Sequence, residues 1–121
     1  MQTNLFRKTA MLIEHNPVHC RLYEDILEAN GFEVYTAKSV MDALLKIKDK
    51  TQDLTVVNTE IAGEQFLQKF ISNVKCEEKT KNMPIIGISM YSKEKKKNVA
   101  KVLDGFLTKP FSIDTFVGSI S

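Results

Sequence analysis

The chain of 121 residues contains only two cysteines, Cys20 and Cys76, and they stand far apart in the sequence. Neither has a second cysteine or a group of histidines nearby, so the sequence contains no zinc-binding pattern. Two isolated thiols are typical of proteins from a reducing compartment. We therefore expect a cytoplasmic protein whose thiols are incidental to its fold.

The chain also has no long apolar run and no strong charge of either sign. Residues 1–8 contain no apolar stretch of signal-peptide length, and no segment reaches the roughly 20 apolar residues that span a bilayer. The formal net charge is only +2, which does not by itself favour nucleic acid as a partner. These absences predict neither a membrane nor a nucleic-acid partner.

The remaining composition is that of a globular domain. Apolar residues make up 43% of the chain and charged residues 26%, which is enough to build a buried core with a charged surface. A chain of this length fits one domain. We expect a short N-terminal extension over residues 1–8 and a single domain over residues 9–121.

Apolar strand-like segments alternate with helical patterns along the whole chain. The predicted strands are residues 9–13, 32–36, 53–58, 84–89 and 105–108. The fourth begins with Pro84, where a missing N–H does least harm. We find no internal repeat and no low-complexity tract.

Polar capping residues mark the starts of the predicted helices. Asn16 followed by Pro17 predicts an N-cap and a first helical residue, and Gly31 fits the left-handed end of that helix. Ser39 and Ser92 are placed to cap the second helix and a lysine-rich fourth helix. The residues expected to face inward are Val18, Leu22, Tyr23, Ile26, Leu27 and Ala29 in the first helix, Phe66, Leu67, Phe70, Ile71 and Val74 in the third, Val99, Val102 and Leu103 in the fourth, and Ile113, Phe116, Val117 and Ile120 in the last.

This (βα)5 order predicts an α/β fold with a doubly wound parallel five-stranded sheet and helices on both faces. The leading strand order is the flavodoxin-like 2-1-3-4-5. In such a sheet the ligand crevice lies beyond the carboxyl ends of the first and third strands. Glu14, His15 and Asn58 follow or end those strands, so we expect them to meet there.

These segments resemble the bacterial response-regulator receiver domains over residues 9–120. The resemblance is carried by residues 11–16, by the strand that ends at Asn58, by Ile86–Ser89 and, most specifically, by Phe106–Phe111 with its Lys-Pro pair. The first helix and its end, residues 21–32, are similar to single-domain cell-cycle members of the family. The resemblance implies a signalling module of a two-component phosphorelay.

The family's site residues can be carried over by position. In the family a strand-end Asp accepts a phosphoryl group, an acidic pair binds Mg²⁺, a hydroxyl and a Lys hold the phosphoryl oxygens, and an aromatic side chain switches rotamer. The positions implied here are Asn58 for the acceptor, Glu14 and His15 for the acidic pair, Ser89 for the hydroxyl, Lys109 for the lysine, Phe106 for the aromatic switch and Pro110 for a cis proline.

Two substitutions and a shortened loop predict that this site has lost its chemistry. The amide of Asn58 cannot form the acyl phosphate that a carboxylate nucleophile forms. Asn58 and His15 also remove two of the carboxylates that Mg²⁺ prefers, because imidazole suits other metals better. The loop after Asn58 is about three residues shorter than the family's. We therefore expect a pseudo-receiver with no metal and no cofactor, in which Lys109 pairs with Glu14 or with the Asn58 oxygen.

Several alternatives stay open at this stage. Another carboxylate, Glu14 or Glu60, could accept the phosphoryl group, which would leave the receiver active. A flavin-binding electron carrier shares the fold order, although the phosphate loop expected after its first strand is missing. His15 reads either as an exposed strand-end residue or as a pH or metal sensor, and Cys20 as incidental or as a redox thiol near a helix N-terminus.

We expect the domain to act without enzymatic activity, as a monomer or weak dimer that binds a protein. The partner would be a histidine kinase, a phosphotransfer protein or a downstream effector, bound through the first helix or through the face of the fourth and fifth helices. A run of lysines on the predicted fourth helix is either a solvated face or a surface for an acidic protein. Its residues are Lys93, Lys95, Lys96, Lys97 and Lys101.

Overall fold

The structure is a computed structural model that describes residues 7–50 and 52–121. Five parallel strands form one sheet in the order 2-1-3-4-5, which confirms the predicted fold. The first strand begins at Lys8, the last residue of the predicted N-terminal extension. Residues 1–6 of that extension lie outside the described residues. The elements are β1 Lys8–Ile13, α1 Pro17–Ala29, β2 Phe32–Ala37, α2 Val40–Asp49, β3 Leu54–Asn58, α3 Glu64–Cys76, β4 Ile85–Ser89, α4 Lys97–Ala100, β5 Gly105–Thr108 and α5 Ile113–Ile120.

The sheet is covered by helices on both faces, because neighbouring residues of a strand point to opposite sides. Met11 of β1 packs with α2 and α3 in one core cluster, whereas the next residue, Leu12, packs with α1 and α5 in the other. Phe70 and Phe116 are buried large residues of these two clusters. Among residues 7–50 and 52–121, no helix is both long and apolar enough to cross a membrane.

Local capping signals were predicted correctly from the sequence. The Asn16 side chain accepts hydrogen bonds from the N–H groups of Val18 and His19, and Pro17 occupies the first turn of α1. Ser39 caps α2 by accepting from the N–H of Asp42. Gly31 has a φ of 93°, the left-handed conformation expected after α1.

The inward face predicted for α1 was partly wrong. Val18 is 74% exposed and Leu22 is 48% exposed, and Ala29 is also exposed. The helix instead buries Tyr23, Ile26 and Leu27. The reason is tertiary, since the rings of Phe111 and Phe116 pack against Tyr23 with centroids 6.1 and 5.7 Å from its own. This leaves Val18 and Leu22 on the solvent side of the helix.

Three other helices differ from expectation in similar ways. Phe66 of α3 is 46% exposed and Ile113 of α5 is 60% exposed, so neither belongs to the core, and Val102 is exposed as well. The fourth helix is only four residues long, and residues 93–96 form turns before it. The Ser92 hydroxyl accepts from the N–H of Lys95 within those turns and does not cap the helix. Helix α3 extends to Cys76, two residues beyond the last inward-facing residue predicted for it, Val74.

Candidate functional site

The carboxyl ends of β1, β3 and β4 lie side by side and bring the predicted site together. The sheet register pairs Ile13 with Val57 and Asn58 with Ile88. Glu14 follows the first of these strands, Asn58 ends the second, and Ser89 ends the third. The side chains of Glu14 and Asn58 meet there, as the strand order predicted.

The Asn58 amide is hydrogen-bonded at both ends. Its Nδ2 donates to Glu14 Oε2 at 3.1 Å, and its Oδ1 accepts from the backbone N–H of Glu60 at 2.9 Å. The second bond closes the turn that leaves β3. Both bonds suit an amide, because one end must donate to a carboxylate and the other must accept from an N–H.

Glu14 is a buried carboxylate with an uneven environment. Its side chain is only 1% exposed. Oε2 accepts hydrogen bonds from Asn58 and from the backbone N–H of Asn16 and lies 3.7 Å from Nδ1 of His15. Oε1 is buried without a hydrogen-bond partner among the described residues. The His15 side chain itself is mostly exposed.

The expected partner of Lys109 was wrong. Its Nζ lies 3.2 Å from Nδ1 of His19 and 5.9 Å from the centre of the Tyr23 ring. It contacts neither the Glu14 carboxylate nor the Asn58 oxygen, which accepts instead from the N–H of Glu60. The peptide bond between Lys109 and Pro110 is cis, as the resemblance implied.

Glu60 is the charged centre that sequence reasoning missed. Its carboxylate accepts hydrogen bonds from the Ser89 hydroxyl at 2.8 Å, from the Met90 N–H at 2.9 Å and from the Thr59 hydroxyl, and it lies 3.4 Å from Lys96 Nζ. Partial burial raises the pKa of Glu60, but the three hydrogen bonds and the lysine charge outweigh it and hold the pKa below its usual value. The sequence predicts Glu60 only as an alternative phosphoryl acceptor. Its place two residues after a central strand, opposite Ser89, was the available signal.

Comparison with known proteins places this geometry in a family. The family model described as the response regulator receiver domain matches residues 10–121. The chain belongs to that family. The Polar-differentiation response regulator DivK of Brucella ovis is 23% identical over 117 residues, covering 93% of both chains. Membership supports signalling over the flavin-carrier alternative, and the similarity to DivK agrees with the subgroup that the first helix predicted.

Solved receiver structures share the fold. The chemotaxis response regulator CheY4 of Vibrio cholerae has a TM-score of 0.82 at 22% identity, covering 94% of this chain and 96% of its own. A response regulator of Thermotoga maritima has a TM-score of 0.79 at 23% identity, with 95% of both chains covered. The receiver domain of the sensor histidine kinase PA1611 from Pseudomonas aeruginosa, at 16% identity and a TM-score of 0.79 over 93% of both chains, holds a magnesium ion in its active-site cleft.

The lysine run does not form one free basic surface. Lys96 is only 18% exposed, because its ammonium faces Glu60 and lies 5.4 Å from the centre of the Tyr91 ring. We therefore remove it from the predicted partner surface. The four other lysines are exposed and form what we call the basic segment: Lys93, Lys95, Lys97 and Lys101.

Two further candidate residues can be placed from their burial. Phe106, at the aromatic-switch position, is partly buried on β5, and its switching stays a prediction.

Burial and the nearby charges of Glu24 and Glu14 raise the pKa of the Cys20 thiol. This is opposite to the lowered pKa that a reactive thiol near a helix N-terminus requires, so it disfavours the redox alternative for Cys20.

Proposed function

We propose that this receiver domain is a phosphorylation-independent, non-enzymatic signalling module of a two-component pathway that acts by binding proteins. The observation that carries the proposal is the Asn58 amide, which bridges the Glu14 carboxylate and the N–H of Glu60. An amide at this position is not the nucleophile that forms an acyl phosphate. The two hydrogen bonds of Asn58 give this side chain a structural role instead of a chemical one.

The donor set at the strand ends does not fit Mg²⁺. This ion demands near-octahedral oxygen coordination and usually binds one or two carboxylates. Here only Oε1 of Glu14 is a carboxylate oxygen without a partner among the described residues, and the Asn58 oxygen already accepts a hydrogen bond. Across residues 7–50 and 52–121, no group of three or more His, Cys, Asp or Glu side chains is arranged to hold a metal. We therefore expect no magnesium requirement.

The two alternative acceptors are poorly placed for phosphoryl transfer. Glu14 is buried, and its Oε2 accepts hydrogen bonds from the Asn58 amide and from the N–H of Asn16. Glu60 is committed to three hydrogen bonds and a lysine. Attack by Glu60 on a phosphoryl group would first require these contacts to break, whereas Glu14 would have to expose a carboxylate that is almost fully buried.

The outward face of α1 is a candidate surface for a kinase or a phosphotransfer protein. Val18 and Leu22 lie one turn apart on the same side of the helix and are both exposed. An ion pair between Arg21 and Asp25, with a nitrogen–oxygen distance of 3.3 Å, flanks them. Apolar side chains rimmed by charges are typical of protein interfaces. The basic segment offers a second surface, suited to an acidic effector protein.

The proposed setting is the cytoplasm, with the domain acting as a monomer or a weak dimer. The decisive comparison is capture of partners from the native host on two baits, the natural domain and a variant with His15→Asp and Asn58→Asp. We expect both baits to retain the same partner set, whereas a captured histidine kinase or phosphotransfer protein transfers phosphate only to the variant. Phosphoryl transfer to the natural domain at a comparable level would overturn the proposal.

A further inference from the structure

Hydrogen-bond donors from two neighbouring strand ends converge on the Glu60 carboxylate. Oε2 accepts from the hydroxyl groups of Ser89 and Thr59, and Oε1 accepts from the N–H of Met90. The ammonium of Lys96 adds a positive charge 3.4 Å from Oε2. Each oxygen is therefore served by separate donors, which is the arrangement of a small oxyanion site.

The donors have few other partners. The side chains of Thr59 and Ser89 are fully buried, and a buried hydroxyl that lacks an acceptor is costly. The Thr59 hydroxyl has only a long alternative contact to the Ile88 carbonyl, at 3.4 Å. Ser89 is less exposed than Glu60, so its hydroxyl needs a hydrogen-bond acceptor from the protein in place of water. Glu60 supplies that acceptor from within the chain.

Ser89 and Lys96 also contact Tyr91, an exposed residue of the segment that follows β4. The N–H of Tyr91 donates to the Ser89 oxygen at 2.9 Å, and the Lys96 ammonium lies over the Tyr91 ring. Met90 and Tyr91 are both exposed large side chains. Glu60 thus connects the end of β3, through Ser89 and Lys96, to an exposed apolar pair on the segment 90–96.

We propose that Ser89, Thr59, the Met90 N–H and Lys96 form an oxyanion-binding site and that Glu60 is its built-in occupant. The carboxylate excludes small tetrahedral anions such as inorganic phosphate and fixes the segment 90–96 without any covalent modification. This inference rests on the proposed function, since it explains how the domain keeps one surface conformation when Asn58 carries no phosphoryl group. It differs from the family's implied site in its cation, which is Lys96 and not Lys109.

The test removes the occupant and offers the site an external anion. Backbone amide NMR spectra of the natural domain and of Glu60→Ala are recorded during titration with inorganic phosphate, with sodium chloride added to match ionic strength. In Glu60→Ala we expect a saturable phosphate-dependent shift of the Met90 and Tyr91 amides. In the natural domain we expect no saturable shift at these amides.

Two control variants make the result specific. Glu94→Ala removes a carboxylate from the same segment, at an exposed position, and should behave like the natural domain. Adding Ser89→Ala to Glu60→Ala should weaken phosphate binding about tenfold, as expected for the loss of one hydrogen bond to an anion. If Glu60→Ala does not fold, Glu60→Gln carries the test, and the Met90 and Tyr91 amides should shift from their natural positions, whereas Glu94→Gln leaves them unchanged.

The outcomes separate this inference from the proposed function. Folded Glu60→Ala that gives no saturable shift, or a natural domain that responds equally, would overturn the built-in occupant. So would a Glu60→Gln spectrum in which Met90 and Tyr91 are unmoved. None of these results depends on phosphoryl transfer to the domain, which tests the proposed function by itself.

Discussion

Replacing Asn58 with Asp should destabilise the domain in a strongly pH-dependent way. The Asn58 nitrogen donates to Glu14 Oε2 at 3.1 Å, so Asn58→Asp replaces a donor with a second carboxylate at that distance. With an effective dielectric constant of about 20, two charges this close repel by about 5 kcal/mol. The native pair can escape the repulsion by binding one proton, so the variant has a carboxyl pKa that is raised on folding.

The size of the effect follows from that proton uptake. Starting from an ordinary carboxyl pKa near 4.3, binding a proton at pH 7 costs about 4 kcal/mol, and at pH 5 it costs about 1 kcal/mol. The free energy of unfolding of Asn58→Asp should therefore fall below that of the natural domain by about 3–4 kcal/mol at pH 7 and by about 1 kcal/mol at pH 5. The sign is that of a raised native pKa: stability returns as the pH falls.

Urea unfolding followed by circular dichroism in buffer with a chelator measures both values. The exposed residue Asn98 supplies the control, because Asn98→Asp makes the same chemical change away from Glu14 and should alter stability by less than about 0.5 kcal/mol. An Asn58→Asp variant as stable as the natural domain at pH 7, or one with the same loss at pH 5, would refute the assigned contact.

Three further outcomes follow from the fold. Asp104→Asn breaks the ion pair with Lys75, at 2.8 Å, and should lower the free energy of unfolding by about 1 kcal/mol at pH 7 in urea unfolding. Burial raises the pKa of Asp104, but its hydrogen bonds and Lys75 lower that pKa more. The loss of stability should therefore vanish as the pH falls through the depressed pKa. Gly87→Ala places a Cβ 2.6 Å from Leu103 Cδ1 and should cost about 1–3 kcal/mol in the same assay, and an unchanged midpoint would contradict this packing. Val18→Ser should leave the unfolding midpoint within error and weaken capture of a kinase or phosphotransfer partner several-fold, and unweakened capture would exclude this part of α1 as the interface.

Local signals in the sequence were sufficient for most of the fold. Asn16 and Pro17 predicted the start of α1 because capping depends only on neighbouring residues. The alternation of strands and helices gave the strand order, and with it the meeting of Glu14 and Asn58. These are properties of short segments and of general rules of chain connection.

Side-chain orientation and long-range contacts were harder to predict. The apolar pattern of α1 contains two overlapping stripes that share Ile26, and periodicity alone did not show that packing of Phe116 on Tyr23 selects one of them. The contacts of Glu60 join residues about 30 positions apart and depend on which turn follows β3. The contact between Lys109 and His19 likewise joins residues 90 positions apart, so no local pattern predicts it.

The central claim is that the site at Asn58 takes no phosphoryl group, and intact-protein mass spectrometry after incubation with acetyl phosphate and Mg²⁺ tests it most directly. The account predicts no added phosphoryl mass on the natural domain and one on the variant with His15→Asp and Asn58→Asp. The variant serves as the positive control, because it restores an acceptor carboxylate and a second acidic residue beside Glu14. A phosphoryl group on the natural domain, whether at Glu14, at Glu60 or elsewhere, would contradict the account.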